Sequence, residues 1–129
     1  MGDRVKDEEF RNQAAVFEYW AWAHKSFGLP EFALMSYPAG GLRHKSTAGK
    51  LKATGTRRGI PDILFPVARG GFFGLVIEMK SQTGRLTDQQ RVVIPWFESI
   101  GWRAEIAYTA TAAINALQQY LAEGARGRP

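Results

Sequence analysis

The chain has 129 residues, enough for one domain with a buried core, and its 45% hydrophobic and 22% charged content is typical of a soluble globular protein. The absence of cysteine excludes disulfides and thiolate metal sites, and two separated histidines argue against a zinc site. The net charge of +5 favours a polyanionic partner, while no apolar run approaches a membrane span and the charged N-terminus argues against export, so we expect a cytoplasmic protein.

The first half of the chain predicts a long helix, a short strand and a short helix. The long helix spans about 6–27, because apolar residues recur at helical spacing and Gly28 and Pro30 then interrupt the pattern. Its predicted apolar face comprises Phe10, Ala14, Phe17 and Ala21, widened by Val16 and Trp20. A strand over 32–35 leads into a glycine-containing turn at 38–41, and a helix over about 46–53 stops at Gly55.

The second half predicts two paired strands, a helix, a strand and a last helix. The apolar runs 63–65 and 72–77 flank a turn with two glycines, which is typical of a hairpin. Thr87 and Gln90 fit a capping box at the start of a helix that packs Val93, Ile94, Phe97 and Ile100, contains Pro95 and closes at Gly101. A strand over 103–108 precedes a helix that Thr109 or Thr111 caps and that ends near Leu121, with a short basic tail from about 123. We therefore predict one α/β domain over 1–129, with a mixed central sheet flanked by helices.

Two carboxylates and one ammonium group form the most informative motif. Asp62 begins one predicted strand, and Glu78 and Lys80 end the other. Because strand side chains alternate between faces, Glu78 and Lys80 project to the same side, and pairing of the strands would bring Asp62 beside them. Hard oxygen ligands of this kind bind Mg²⁺ or Mn²⁺ and suit phosphodiester hydrolysis. The alternative is a surface salt-bridge cluster, but the two carboxylates would repel each other unless a divalent ion neutralised both.

Three further polar residues are candidates for the same site. Gln90 shares the core-facing stripe of its helix, where a polar side chain needs a partner, although it could instead only complete the capping box. Glu9 and Gln13 lie four residues apart on one face of the first helix. Glu9 is either part of the site or one of the acids that commonly occupy a solvated helix start.

Basic residues concentrate in the stretch 43–58, which contains no acid. This stretch is either a solvated basic loop or a surface that faces phosphate, and its glycines and the adjoining carboxylates favour phosphate. With two arginines outside the stretch, the basic residues expected to contact phosphate are Arg43, Lys45, Lys50, Lys52, Arg57, Arg58, Arg69 and Arg85.

Ordered motifs over roughly 9–121 resemble the VRR-NUC (virus-type replication–repair nuclease) branch of the PD-(D/E)xK nuclease superfamily. The motifs are E9-x-x-x-Q13, V16-F17-x-x-W20, P38-A39-G40-G41-x-R43, L51-K52-A53-T54-G55, G59-I60-P61-D62-I63, G74-L75-V76-I77-E78-M79-K80, G84-R85-L86-T87-x-x-Q90 and G101-W102. One departure is Ala39, where the family usually has asparagine. The resemblance implies a restriction-endonuclease-like αβββαβ core.

The resemblance also implies site roles. Asp62 and Glu78 would be metal ligands together with the Met79 carbonyl and Glu9, and the DNA contacts would include Gln13. Lys80 would orient or activate the attacking water and offset charge on the phosphorane, and Gln90 would steady Lys80, the water or the phosphate.

Minimal stand-alone relatives, in phages and bacteria, resemble Holliday-junction resolvases that act as homodimers, whereas members fused to larger repair proteins act on flaps and branched ends. We therefore expect a Mg²⁺- or Mn²⁺-dependent, structure-specific endonuclease that cuts four-way DNA junctions as a homodimer, in DNA repair or recombination within a bacterial or phage-infected cell. The alternatives are a flap or duplex nuclease of the same family and a catalytically silent DNA-binding module. A sequence-specific restriction-type enzyme is disfavoured, because the short chain leaves little room for a separate base-reading element.

Overall fold

The helices and strands follow one another in the order that the sequence predicts. The computed structural model describes residues 2–37 and 45–127, with side chains described for 4–37 and 49–123. The elements are α1 (Gly2–Ala23), β1 (Met35–Ser36), α2 (Lys45–Ala53), β2 (Ile63–Phe65), β3 (Leu75–Met79), α3 (Asp88–Ser99), β4 (Arg103–Ala107) and α4 (Ala110–Gly127). Short 3₁₀ turns at His24–Phe27 and Glu31–Ala33 connect α1 to β1. The predicted αβββαβ core and mixed sheet are confirmed, with α2 added between the first two strands.

The sheet has the strand order β1-β2-β3-β4 and brings the start of β2 beside the end of β3. β1 and β3 are both antiparallel to β2, while β4 is parallel to β3 through the crossover helix α3. Ile63 pairs with Ile77, so the residue before Ile63 and the residue after Ile77 lie at the same end of the sheet. The predicted hairpin is confirmed, and the bridge between Arg69 and Phe72 closes its turn at the opposite end.

The hydrophobic core lies between one face of the sheet and helices α1 and α4. Trp20 of α1 is fully buried and meets Phe65 of β2 edge to face, with ring centroids 5.3 Å apart. Tyr120 of α4 packs against the same Phe65 ring and donates a hydrogen bond from its hydroxyl to the Val67 carbonyl at 2.6 Å. Each large side chain buried here stabilises the fold by roughly 1.5–3 kcal/mol. The opposite face of the sheet carries α3, whose Ile94 is buried.

The predicted apolar face of the first helix is wrong along most of its length, because a different face of the helix is buried. Phe10 is 72% exposed, and Ala14 and Ala21 are exposed as well, whereas Val16 and Trp20 are fully buried. The buried residues Val16, Trp20 and Ala23 are spaced four and three residues apart and share one face of the helix. Phe10, Ala14 and Ala21 lie on another face, which points away from the core.

Other boundaries differ at the ends of elements. The first strand is Met35–Ser36 and not 32–35, because residues 31–33 form a 3₁₀ turn whose Glu31 carbonyl accepts the indole N–H of Trp20 at 2.8 Å. Ile100, predicted to be buried, is 41% exposed just beyond the end of α3. α4 continues to Gly127, through part of the predicted tail. Thr109 does cap it, since its hydroxyl accepts the Ala112 N–H at 3.0 Å.

No helix in the described part of the chain is both long and apolar enough to cross a membrane. The predicted turn at 38–41, including Ala39, lies outside the described residues.

Candidate active site

Asp62 and Glu78 lie side by side at one end of the sheet. Asp62 directly precedes β2, Glu78 is near the end of β3, and the antiparallel pairing of these strands brings them together. The backbone N–H of Met79 donates to Oδ2 of Asp62 at 2.9 Å, and this hydrogen bond holds the carboxylate against the end of β3. The convergence of the two carboxylates that strand alternation predicts is therefore confirmed.

Lys80 and Gln90 both contact one oxygen of Glu78. The Lys80 ammonium lies 3.5 Å from Oε2 of Glu78, and the side-chain amide of Gln90 donates to the same oxygen at 2.7 Å. Glu78 is only 3% exposed and Lys80 9%. The second oxygen of Glu78, Oε1, is buried and has no hydrogen-bond partner among the described residues. A buried oxygen without a partner is costly, so this atom is the first place to seat a ligand.

The electrostatics of the pair disfavour two negative charges. Burial, reinforced by the charge of the adjacent Asp62, raises the pKa of Glu78 to about 8, against the opposing effect of Lys80. Burial also raises the pKa of Asp62, although the Met79 N–H acts in the opposite direction. The site therefore retains a proton near neutral pH unless another positive charge replaces it.

The donor set fits a hard divalent cation. No group of three or more His, Cys, Asp or Glu side chains with metal-binding geometry occurs in the part of the chain where side chains are described. Mg²⁺ does not require such a group, because it usually keeps several waters and uses one or two carboxylates together with substrate phosphates. The unpartnered Glu78 oxygen and the adjacent Asp62 carboxylate meet this requirement. A cation here would relieve their repulsion.

Two acids of α1 hold the segment that follows Lys80. Glu9 accepts the backbone N–H of Ser81 at 3.1 Å, and Glu8 accepts that of Gln82 at 3.0 Å. Burial is the main cause of the raised pKa of Asp62, and the negative charge of Glu9 raises it further. Glu9 is thus half-buried and bonded, and is not a solvated helix-start acid. Sequence reasoning missed Glu8, because its partner is a backbone group distant in sequence.

Gln90 both completes the capping box of α3 and donates a hydrogen bond to Glu78. Its backbone N–H donates to the Thr87 hydroxyl at 3.1 Å, and the Thr87 N–H donates to its side-chain oxygen at 2.8 Å. The predicted capping box is therefore confirmed. The amide nitrogen remains available for Glu78, so the start of α3 is tied directly to the acidic pair.

The predicted DNA-contacting residues do not form one group. Lys50, Lys52, Arg57 and Arg58 are exposed on the last turn of α2 and the segment that leads to Asp62, and Arg85 is exposed before α3. Arg69 sits in the hairpin turn at the far end of the sheet and donates to the Ala68 carbonyl, so the geometry separates it from the carboxylates. Gln13 is half-buried and lines a groove with Phe10 on the other side of the sheet. Arg43 and the side chain of Lys45 lie outside the described residues.

Comparison with known proteins gives one family. The VRR-NUC domain model matches residues 3–111, which include every residue of the acidic site. A solved structure described as a VRR_NUC domain protein superposes with a TM-score of 0.74 at 27% sequence identity, covering 91% of this chain and 90% of the other. No curated protein matches this chain.

Proposed function

The chain belongs to the VRR-NUC domain family, and from this premise we propose that it is a Mg²⁺- or Mn²⁺-dependent endonuclease that hydrolyses phosphodiester bonds of DNA. The domain implies a nuclease with DNA as its substrate. One observation carries the metal dependence: Glu78 is buried beside Asp62, has a pKa raised to about 8, and has one oxygen without a partner. Such a pair needs a cation in addition to Lys80 to be doubly ionised at neutral pH.

Asp62 and Glu78 would hold the cation, with the Met79 carbonyl and Glu9 as further oxygen donors. When bound, the divalent ion lowers the pKa of a coordinated water and stabilises charge on the phosphoryl oxygens. Lys80 adds a cation 3.5 Å from Glu78 in a largely buried position, where its charge counts for more than in water. Gln90 fixes the orientation of Glu78 through its 2.7 Å hydrogen bond.

The exposed cations next to the site would hold the DNA backbone. Lys50, Lys52, Arg57 and Arg58 lie on the chain segment that ends at Asp62, and Arg85 lies between Lys80 and α3. Contacts of this kind position a strand without reading its sequence, and they release counterions. We therefore expect affinity that falls steeply with salt. Arg43 and Lys45 stay predictions from the sequence, and Arg69 and Gln13 are weaker candidates because of where they lie.

The preferred substrate would be a four-way junction cut by a homodimer, because two symmetric sites match two symmetric scissile bonds. This finer proposal rests on the resemblance to minimal family members. A flap or linear duplex is the alternative substrate of the same chemistry. Light scattering measures the oligomeric state of the protein. A dimer mass at micromolar concentration supports junction resolution, and a monomer mass at that concentration argues against it.

The first experiment compares wild type with Lys80→Ala on labelled four-way junction, flap and linear duplex, each with Mg²⁺, Mn²⁺ or EDTA. Lys25→Ala is the matched control, because Lys25 is an exposed lysine in the turn after α1 and its loss changes the net charge equally. We expect metal-dependent cutting by wild type and by the control, and none by Lys80→Ala. Binding without cutting by wild type in every metal condition would refute the nuclease and favour a silent DNA-binding module.

A further inference from the structure

An open groove lies between the first half of α3 and the segment that leads into Asp62. Its volume is about 350 Å³, and it is lined by Arg58, Asp88, Gln89, Val92 and Val93. One wall is the segment that leads into Asp62, and the other wall is the first half of α3, the helix that carries Gln90. The groove therefore borders the two chain segments that supply the reactive centre.

Close packing holds the two walls together. Gly59 has a φ of +87°, and a Cβ built on it would lie 2.8 Å from the backbone carbon of Gln89. Only a glycine permits this approach of the loop to the helix backbone. Arg58 immediately precedes this contact, so the groove has a defined position relative to Gln90 and Glu78.

The lining combines three kinds of chemistry. Arg58 supplies a guanidinium, Asp88 a carboxylate and Gln89 an amide, and Val92, which is 71% exposed, supplies an apolar surface. Among the side chains that the structure describes, Arg58 and Asp88 line the same groove and form no ion pair with each other. A positive and a negative group that face a groove without pairing suit a ligand with an anion at one end and a hydrogen-bond donor at the other.

We propose that this groove binds an unpaired nucleotide that flanks the scissile phosphate and that it favours a base with an exocyclic amino group, such as cytosine. The inference rests on the proposed nuclease function and adds a base preference to it. Arg58 binds the phosphate of that nucleotide, Val92 contacts the face of its base, and Asp88 and Gln89 bind its edge. Carboxylates accept from the cytosine amino group, and glutamine pairs with adenine, in direct base readout.

The size of the groove agrees with a single nucleotide. Pockets for drug-sized ligands occupy about 300–1,000 Å³, and this groove lies at the lower end of that range. Its opening to solvent allows a strand to enter from the side and leave again, which a closed pocket would not. A base within a duplex cannot bind in this way, because stacking on its neighbours covers both of its faces and leaves none for Val92, so an unpaired position is required.

The test measures binding of fluorescein-labelled oligodeoxycytidine and oligodeoxyuridine of about 12 nucleotides, within the size range of single-strand sites. The two probes differ where cytosine carries the amino group and uracil a carbonyl. Binding is measured by anisotropy under two conditions in which we expect no cleavage. One is the Lys80→Ala variant with Mg²⁺, and the other is wild type in EDTA. The variants are Asp88→Ala and Arg58→Ala, with Glu98→Ala and Lys25→Ala as exposed controls of the same charge.

We expect the cytidine probe to bind about tenfold more tightly than the uridine probe, which is the discrimination typical of one good base-edge contact. Asp88→Ala should bring this ratio close to one, and Arg58→Ala should weaken both probes by the same factor. Equal affinities for the two probes in the protein without groove substitutions, or a preference for cytidine that remains in Asp88→Ala, overturn the inference. If wild type cuts DNA with metal but shows no preference for the cytidine probe, only this inference fails. If it cuts nothing, the proposed function fails.

Discussion

Replacing Glu78 by glutamine should stabilise the metal-free protein while removing the metal-dependent activity that we propose. Glutamine keeps the shape of the side chain, and its amide oxygen can still accept from Gln90 and Lys80, which both contact Oε2 in the wild type. What disappears is a buried negative charge next to Asp62. The substitution therefore separates the electrostatic cost of the acidic pair from its packing.

The magnitude follows from the raised pKa. Burial and Asp62 raise the pKa of Glu78 from 4.5 to about 8, so the folded state binds this proton more tightly than the unfolded chain does. The contribution of Glu78 to the free energy of unfolding is then fully present below pH 4.5 and is lost as the pH rises through about 8. At about 1.4 kcal/mol per pKa unit the full loss approaches ~4–5 kcal/mol. Side-chain relaxation and water entry lower such penalties, so we expect ~2 kcal/mol at pH 8.

The assay is thermal unfolding of wild type and Glu78→Gln in EDTA at pH 5 and pH 8, and then with Mg²⁺. We expect the variant to melt roughly 6–10 °C above wild type at pH 8 and close to it at pH 5. Mg²⁺ should raise the melting temperature of wild type more than that of the variant, because binding to the folded state stabilises it. Glu98→Gln, an exposed acid on α3, should behave as wild type. An equal difference at both pH values, or a variant no more stable than wild type at pH 8, would refute the reasoning.

Three further substitutions probe the groups around this pair. Gln90→Ala should lower kcat/KM by about 10–100-fold, the usual cost of losing a group that orients a ligand, measured as initial cutting rates on the best substrate. Glu8→Ala should lower kcat several-fold with little change in KM, and Glu8→Gln should restore it because the amide oxygen still accepts a backbone N–H; identical rates for both variants would contradict this. Gly59→Ala should destabilise the fold by roughly 2 kcal/mol or more in urea unfolding, since its Cβ would strike the backbone of Gln89 at a positive φ.

Local rules were sufficient where partners lie on adjacent strands or within one turn. Strand alternation and a glycine turn predict that Asp62 meets Glu78, and the structure confirms the pairing. The capping box at Thr87 needs only a spacing of three residues, and it too is confirmed. These features could be predicted because each depends on geometry that the chain repeats everywhere.

Features that depend on distant packing could not be predicted in this way. Phe10 is exposed because α1 packs on the core through the face of Val16, Trp20 and Ala23, and helical spacing alone does not decide which of two apolar faces is buried. Glu8 bonds to a backbone group more than 70 residues away, so no local pattern identifies it. Gly74 is another example: a Cβ there would lie 2.5 Å from the ring of Trp102, and only the parallel pairing of β3 with β4 brings the two together.

The arrangement of supports around Glu78 explains how the fold tolerates an unfavourable charge pair. Each surrounding group is held by a different element: Asp62 by the β3 backbone, Gln90 by the cap of α3, and the segment after Lys80 by the acids of α1. A proton on Glu78, or a bound cation, lowers the repulsion that remains. Because these supports are independent, losing one should weaken catalysis before it unfolds the protein. The substitutions above should therefore lower activity with little loss of stability, except at Gly59. There the loop packs directly on the backbone of Gln89, so a substitution should also destabilise the fold.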